Sequence, residues 1–323
     1  MKQSRKWIWL LVLFVISATL NGLQFAYLRF WQTNMSLPGI VHFENANSRE
    51  TYFTLHNIHE AWKYGRGNGV KVGVLDWLFG VEQYPNLYTG GVDFAANLEA
   101  LNKHAQHGYW MAGVLREVAP DCAIYALNIA MDQSEDRKVD TMIAAIDWAI
   151  AHSLDVLTYS GPPFSTANAE RLDQALARAD SAGIVTTFIH YYDQTNLLPG
   201  LLGWRDDPSD PRPADISIFS YDYSSLLASQ YNRFLKSNGN PQSGDDTPYF
   251  SYSSTSPVTA GFVAILMSVE PGLMPAAYKK ALMGNTAYRE FIDPITGRAM
   301  KDERVADIGK AVAWLATEAT SVN

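Results

Sequence analysis

A chain of 323 residues, 47% of them hydrophobic, is long enough to bury a large core, and its lack of repeats or biased tracts excludes a solenoid, a fibrous protein or a disordered chain. The net charge of −8, with basic residues scattered rather than clustered, excludes the basic footprint of a nucleic-acid-binding protein. The single cysteine, Cys122, excludes any disulfide within the chain, and its place in an apolar strand reads as a buried, inert thiol.

Lys2, Arg5 and Lys6 precede Trp7 to Leu28, a run of 22 residues without a charge. At about 1.5 Å of rise per residue, such a helix crosses a hydrocarbon core of about 30 Å. The most apolar part, Trp7 to Leu20, is 14 residues long and also suits the apolar region of a secretory signal. Residues 1–29 are therefore expected to be a membrane anchor with its basic end cytoplasmic, or a cleaved signal segment. The rest of the chain then lies outside the cytoplasm, tethered in the periplasm or at the cell surface in the first case and secreted in the second. Residues 30–60 read as a linker and domain entry, ending in a short helix near Ile58 to Tyr64. His56 and His59 have the spacing of a metal pair on one helix face, but no third ligand accompanies them and no metal is assigned.

Gly65-Arg66-Gly67-Asn68-Gly69 is a turn, and Val70 to Leu75 is a β-branched apolar run that ends in Asp76. Strands and helices then alternate through Ala123 to Asn128, Lys138 to His152, Val156 to Tyr159, Ala167 to Ala182 and Ile184 to Ile189. That alternation predicts an α/β fold, a mostly parallel sheet with helices on both faces. Sites in such sheets gather at the carboxyl ends of the strands, where Asp76 stands. His107 opens a helical pattern between the first two of these strands.

Leu197 to Pro213, rich in Pro, Gly and Asp, reads as an exposed loop. Asp206, Asp207, Asp210 and Asp215 carry the oxygen chemistry that calcium favours, without EF-hand spacing, so a solvated loop is expected and no cofactor is required. Further on, a serine cluster from Ser251 to Ser256 runs into Pro257 and a small-residue helical pattern. Pro is tolerated in a first helical turn, which places the helix start near Ser256. Ser253 just ahead of it suits a cap, or a nucleophile facing the positive end of the helix dipole. Helices over Pro271 to Met283 and Ala306 to Ala316 close the chain, the last with Ile308, Val312 and Leu315 on its apolar side.

Six stretches in order resemble the subtilisin-like serine proteases. Gly69 to Asp76 resembles that family's first core strand with its Asp, and His107-Gly108 with Ala112-Gly113 resembles HGTHVAG. Val118 to Leu127 is similar to the VAP-x-A-x-I-Y-A-V strand, and Ala144 to Ile150 to the helix after it. Asp155 to Gly161 is similar to DVINMSLG, and Ser253 to Gly261 to GTSMASPHVAG. The resemblance runs from about Ala61 to the end and implies one catalytic domain over 61–323.

It also implies a catalytic triad of Asp76, His107 and Ser253, in the family's chain order. A serine hydroxyl attacks only once a base removes its proton, and imidazole, with an ordinary pKa near 6.5, does so at neutral pH. A buried carboxylate on the other ring nitrogen holds the tautomer and stabilises the cation. Ser160 and Gly161 fall on the family's cleft wall, although Ser160 to Pro163 depart from its SLGG. Tyr192 falls where the family has the Asn that donates to the oxyanion, and its hydroxyl is a donor in its place. Trp77-Leu78 stand where the family has Thr-Gly, Tyr109-Trp110 where it has Thr-His, and Ser251-Tyr252 where it has Gly-Thr, so bulk is expected beside each catalytic group. The implied activity is an exported serine endopeptidase acting on protein or peptide substrates, with no nucleic-acid partner. The alternative is a catalytically degenerate relative that binds peptide along the edge near Ser160 as a scaffold domain.

Overall fold

The structure, a computed structural model, describes residues 53–189, 191, 193–201, 214–218, 252–292 and 299–321. The expected anchor of residues 1–29, Tyr192 and the aspartates Asp206, Asp207 and Asp210 lie outside these residues. Two compact units divide the chain, Asn47–Arg289 with Asp302–Asn323, and Met1–Ala46 with Glu290–Lys301. Of the second unit the described parts are strand residues, 290–292 and 299–301.

The first unit is built on β1 (Lys71–Asp76), an apolar run buried from its second residue to its last. β3 (Ala123–Asn128) pairs parallel on one side of it and β4 (Val156–Tyr159) on the other. β2 (Gly90–Asp93) extends the sheet beyond β3 and β5 (Val185–Phe188) beyond β4, again parallel, giving the order β2-β3-β1-β4-β5. Strands buried on both faces read as apolar and β-branched runs, which is why β1, β3, β4 and β5 were legible as strands. The fold is thus the α/β sheet expected, with helices on both faces.

On one face, α4 (Glu135–Ala151) and α5 (Thr166–Ser181) cover the sheet, and Met142, Ile146, Leu172 and Leu176 pack with Leu127, Leu157 and Phe188 in one cluster. Glu135 accepts from the backbone and hydroxyl of Ser165 and from the Asn168 amide, so the start of α5 is capped by a carboxylate of its neighbour. The other face carries α3 (His107–Val118) and α6 (Thr255–Val269). α6 is buried from Thr255 through Met267, and each large apolar side chain enclosed there contributes about 1.5–3 kcal/mol. A Cβ on Gly261 would sit 2.6 Å from Val118, so α3 and α6 approach closely because this residue has no side chain. Cys122 is buried as expected, and burial pushes its thiol up to about 12.

One expectation changes. Pro199–Leu201 (β6) lies inside the stretch read as a loop; with β7 (Ile216–Ile218), β8 (Thr286–Ile292) and β9 (Ala299–Ala306) it forms a second sheet in the order β6-β7-β9-β8. In the entry segment, Phe53 and Ile58 are packed, at 1% and 0% exposed. His56 is buried and its Nδ1 meets the Ala306 carbonyl at 2.7 Å, while the His59 ring lies edge-on to Phe53 and Trp62. Asp215 accepts from the Leu198 backbone at 2.8 Å, joining the ends of β6 and β7. Short α1 (Ile58–Ala61) and α2 (Leu98–Asn102), then α7 (Pro275–Gly284) and α8 (Ile308–Ser321), are the other helices among the described residues. Among the described residues no helix is long and apolar enough to cross a membrane.

Candidate active site

The carboxyl ends of the central strands stand level. Asp76 is opposite Asn128, while Leu75 is opposite Tyr159, and Tyr159 opposite Phe188. Residues just past these ends therefore share one rim: Trp77 after β1, Met131 after β3, Ser160 to Pro162 after β4, Ile189 after β5. They line a single cleft of about 410 Å3 together with Gln106, His107, Trp110 and Ser253.

Asp76 is 1% exposed, and both its oxygens face His107 Nδ1, at 2.9 and 2.8 Å. An unprotonated carboxylate only accepts, so the ring proton lies on Nδ1 and the Nε2 lone pair is left toward the cleft. The backbone N–H of Trp77 also donates to Asp76 Oδ1, at 2.8 Å, fixing the carboxylate. Burial lowers the His107 pKa, but the charge of Asp76 and its hydrogen bond outweigh it, and the net shift is upward.

A turn holds the imidazole in place. Leu78, where the family has Gly, adopts a left-handed φ of 58°, at a cost of about 1–2 kcal/mol. That turn aims two carbonyls at the start of α3: Gln106 N donates to Leu78 O at 2.7 Å and Gly108 N to Trp77 O at 2.8 Å. A Cβ on Gly108 would lie 2.5 Å from Trp77 O, so only glycine follows His107 without displacing the turn.

Ser253 sits in a 3-10 turn, Tyr252–Ser254, immediately ahead of α6, which starts at Thr255. The serine cluster does not cap α6 through a side chain. Instead Ser256 Oγ bonds Thr158 Oγ at 2.7 Å and donates to the Thr187 carbonyl, tying the first turn of α6 to β4 and β5. Ser160 Oγ donates to the Ser253 carbonyl at 2.7 Å. His107 and Ser253 line the same cleft. No hydrogen bond joins their side chains among the described residues, as is common before substrate closes a site.

Of the bulky substitutions, Trp77 and Trp110 do line the cleft. Tyr109 does not: it is 6% exposed and stacks on Tyr84 with ring centroids 4.0 Å apart. Asn196, four residues beyond Tyr192, is turned inward, its amide donating to the carbonyls of Phe188 and Tyr191. Asp193 accepts from Thr195 N at 2.7 Å. Gln106, Met131, Pro162 and Ile189 were not singled out from the sequence, although all but Gln106 follow a strand end, where such sheets carry their sites. Among the described residues no group of three or more His, Cys, Asp or Glu is placed to hold a metal ion.

No family model matches the sequence. The minor extracellular protease Epr of Bacillus subtilis is 26% identical over 139 residues, which is 40% of this chain and 21% of that protein. Subtilisin DY of Bacillus licheniformis is 30% identical over 132 residues, 37% of this chain and 46% of that protein. The chain thus spans less than half the length of these curated relatives. Among solved structures, the MycP3 protease from the type VII (ESX-3) secretion system superposes with a TM-score of 0.60 at 15% identity, covering 81% of this chain and 88% of that one.

Proposed function

Because the chain is a divergent member of the subtilisin-like serine protease family, we propose that it is an exported serine endopeptidase whose triad is Asp76, His107 and Ser253. The observation that carries this reading is the short, buried contact of Asp76 with His107 Nδ1 beside a cleft that Ser253 also lines. In the proposed reaction His107 Nε2 takes the Ser253 hydroxyl proton as Oγ attacks the scissile carbonyl. Asp76 accepts from Nδ1–H throughout and stabilises the imidazolium. The imidazolium then protonates the leaving amine, and an activated water reverses these steps to free the acid. The backbone N–H of Ser253, at the positive end of the 15-residue α6, is one donor to the oxyanion. The Tyr192 hydroxyl is proposed as the other. Substrates are proteins or peptides, and the mechanism calls on no metal or cofactor.

The test is labelling by a fluorophosphonate, which reacts only with an activated serine. The expected result is one adduct, mapped to Ser253 by mass spectrometry and absent in Ser253→Ala. No adduct, under conditions that label a subtilisin control, overturns the reading. Export rests on the basic start and the uncharged run from Trp7 to Leu28. A protease-shaving assay on intact cells should find the domain outside the cytoplasm, and a protected cytoplasmic pool would refute it.

One observation favours the second reading, a fold of this family that grips peptide without cutting it. The Asn196 amide, which a shift of register could bring to the family's oxyanion Asn, is instead engaged with the carbonyls of Phe188 and Tyr191. On that reading the domain binds peptides at the cleft while Ser253 resists the probe.

A further inference from the structure

The cleft wall after β4 is built from Ser160, Gly161, Pro162 and Pro163, and its main chain is poor in hydrogen-bonding groups. Pro162 and Pro163 have no N–H to donate. The Pro162 carbonyl is turned inward, where it accepts from the Tyr159 hydroxyl at 3.4 Å. Tyr159 is 1% exposed and wedged beneath this wall, against Phe164 and Phe188. A Cβ on Gly161 would come within 2.0 Å of its hydroxyl, so the Tyr159 ring occupies the space a side chain at 161 would need. The next residue along, Phe164, leads into Ser165 at the start of α5, whose N–H is bound by Glu135.

An extended peptide that presents a carbonyl to Ser253 passes Ser160, because the Ser160 hydroxyl is bonded to the Ser253 carbonyl. Such a peptide gains affinity by adding main-chain hydrogen bonds to the edge it lies on. Here the edge stops after Gly161. Residues 162 and 163 offer no donor, and the Pro162 carbonyl is shared with the Tyr159 hydroxyl. Recognition past that point falls to apolar surface, from Trp77, Trp110, Met131, Pro162 and Ile189.

We infer that this cleft is specific for short segments of extended peptide, registering about two residues by main-chain pairing along the 160–163 wall and ignoring the backbone beyond them. Pro162, Pro163 and Tyr159 set that limit. The inference rests on the peptide-cleaving reading above and deepens it by naming the substrate class: short or terminal peptide segments with apolar side chains, not long strands threaded along the wall.

The experiment uses the full chain and two peptide series, lengthened one residue at a time on either side of the scissile bond. In the parent, kcat/KM should level off after the second residue in one series, changing less than about twofold thereafter. Pro162→Ala with Pro163→Ala restores two N–H groups without the flexibility of glycine, at two exposed positions. In that variant the same series should keep rising, by about fivefold for each hydrogen bond gained. Tyr159→Phe frees the Pro162 carbonyl and should give part of this gain alone. The inference is overturned if the parent climbs past the second residue in both series, or if the double variant gains no more from length than the parent. Should the chain hydrolyse nothing, the protease reading fails by itself. The length dependence is then read from binding of the same peptides, followed by the fluorescence of Trp77 and Trp110, with the same two outcomes.

Discussion

The hydroxyl of Ser160 donates to the backbone carbonyl of Ser253 across 2.7 Å. This bond ties the residue after β4 on the cleft wall to the proposed nucleophile, which sits just ahead of α6. Ser160 is 5% exposed, and its loss would leave a carbonyl without its partner beside the proposed nucleophile. A net hydrogen bond of this kind is worth about 1 kcal/mol, or roughly fivefold in rate when it holds a catalytic group. Ser160→Ala is therefore expected to lower kcat about fivefold with little change in KM. Steady-state kinetics on a two-residue peptide substrate separate the two; an unchanged kcat would show that α6 alone holds Ser253.

The Asp76–His107 pair sets a pH dependence of definite sign. The charge and hydrogen bond of Asp76 raise the His107 pKa against the opposing effect of burial, so the base becomes neutral only above its ordinary value of about 6.5. The acid limb of the kcat/KM profile should accordingly lie above that value. Asp76→Asn removes both raising causes and leaves burial, so the limb should move below it, while the rate at neutral pH falls on the order of 10⁴-fold as the tautomer is lost. The same pair links to stability: its contribution is complete below about 6.5 and fades as pH rises through the raised folded value. A parent limb at or below the ordinary value would contradict the arrangement.

The first sheet and the Asp–His pair were legible because their signals are local. β1 is an unbroken apolar run with a carboxylate at its end, and His107 opens a helix whose next residue must be glycine. The second sheet left no such trace: β6 and β7 are three residues each, and β6 begins Pro-Gly. Nor do chain-distant hydrogen bonds leave a pattern. Ser160 finds its partner 93 residues away, and nothing in the spacing of Asn196 tells whether its amide faces a cleft or a neighbouring carbonyl. Tyr109 was expected to crowd the site because it adjoins His107 in the motif. At the start of a helix, neighbours in sequence point to different faces, and Tyr109 goes to the core.

The contact between α3 and α6 predicts a stability effect with no active-site residue involved. At Gly261 an added methyl group would meet Val118 at 2.6 and 2.7 Å, far inside van der Waals contact. Alanine is the better helix former by about 1 kcal/mol, yet overpacking in a dense core costs about 1–3 kcal/mol. The Val118 Cγ1 can turn aside by a rotamer change, but its Cβ cannot rotate away, so the clash wins. Gly261→Ala should lower the midpoint of thermal unfolding by several degrees, and since α6 carries Ser253 at its start, fluorophosphonate labelling should slow with it. Gly272→Ala provides the contrast. A Cβ there meets nothing within 4 Å, but its φ of +82° makes any loss one of backbone strain and leaves labelling untouched.

Asn196 carries the last prediction. It is 2% exposed and pairs with the end of β5 as a strand would: Oδ1 accepts from Phe188 N at 2.8 Å, while Nδ2 donates to Phe188 O at 2.8 Å and Tyr191 O at 2.9 Å. The backbone leaving β5 is therefore folded around one side-chain amide. Asn196→Ala would strand one donor and two acceptors in the core, at about 2–4 kcal/mol. Asn196→Asp is the sharper test, because it keeps the size and one acceptor but sets a second oxygen against two carbonyls. Ionisation is then opposed both by burial and by those carbonyls, so the new carboxyl has a raised folded pKa. Its stability relative to the parent should recover as pH falls, when a protonated oxygen can donate to one carbonyl, and should worsen as pH rises through that value. Chemical denaturation of both variants between pH 4 and 8 follows this directly. An Asn196→Asp variant that matches the parent across the range would mean the segment after β5 is held from elsewhere.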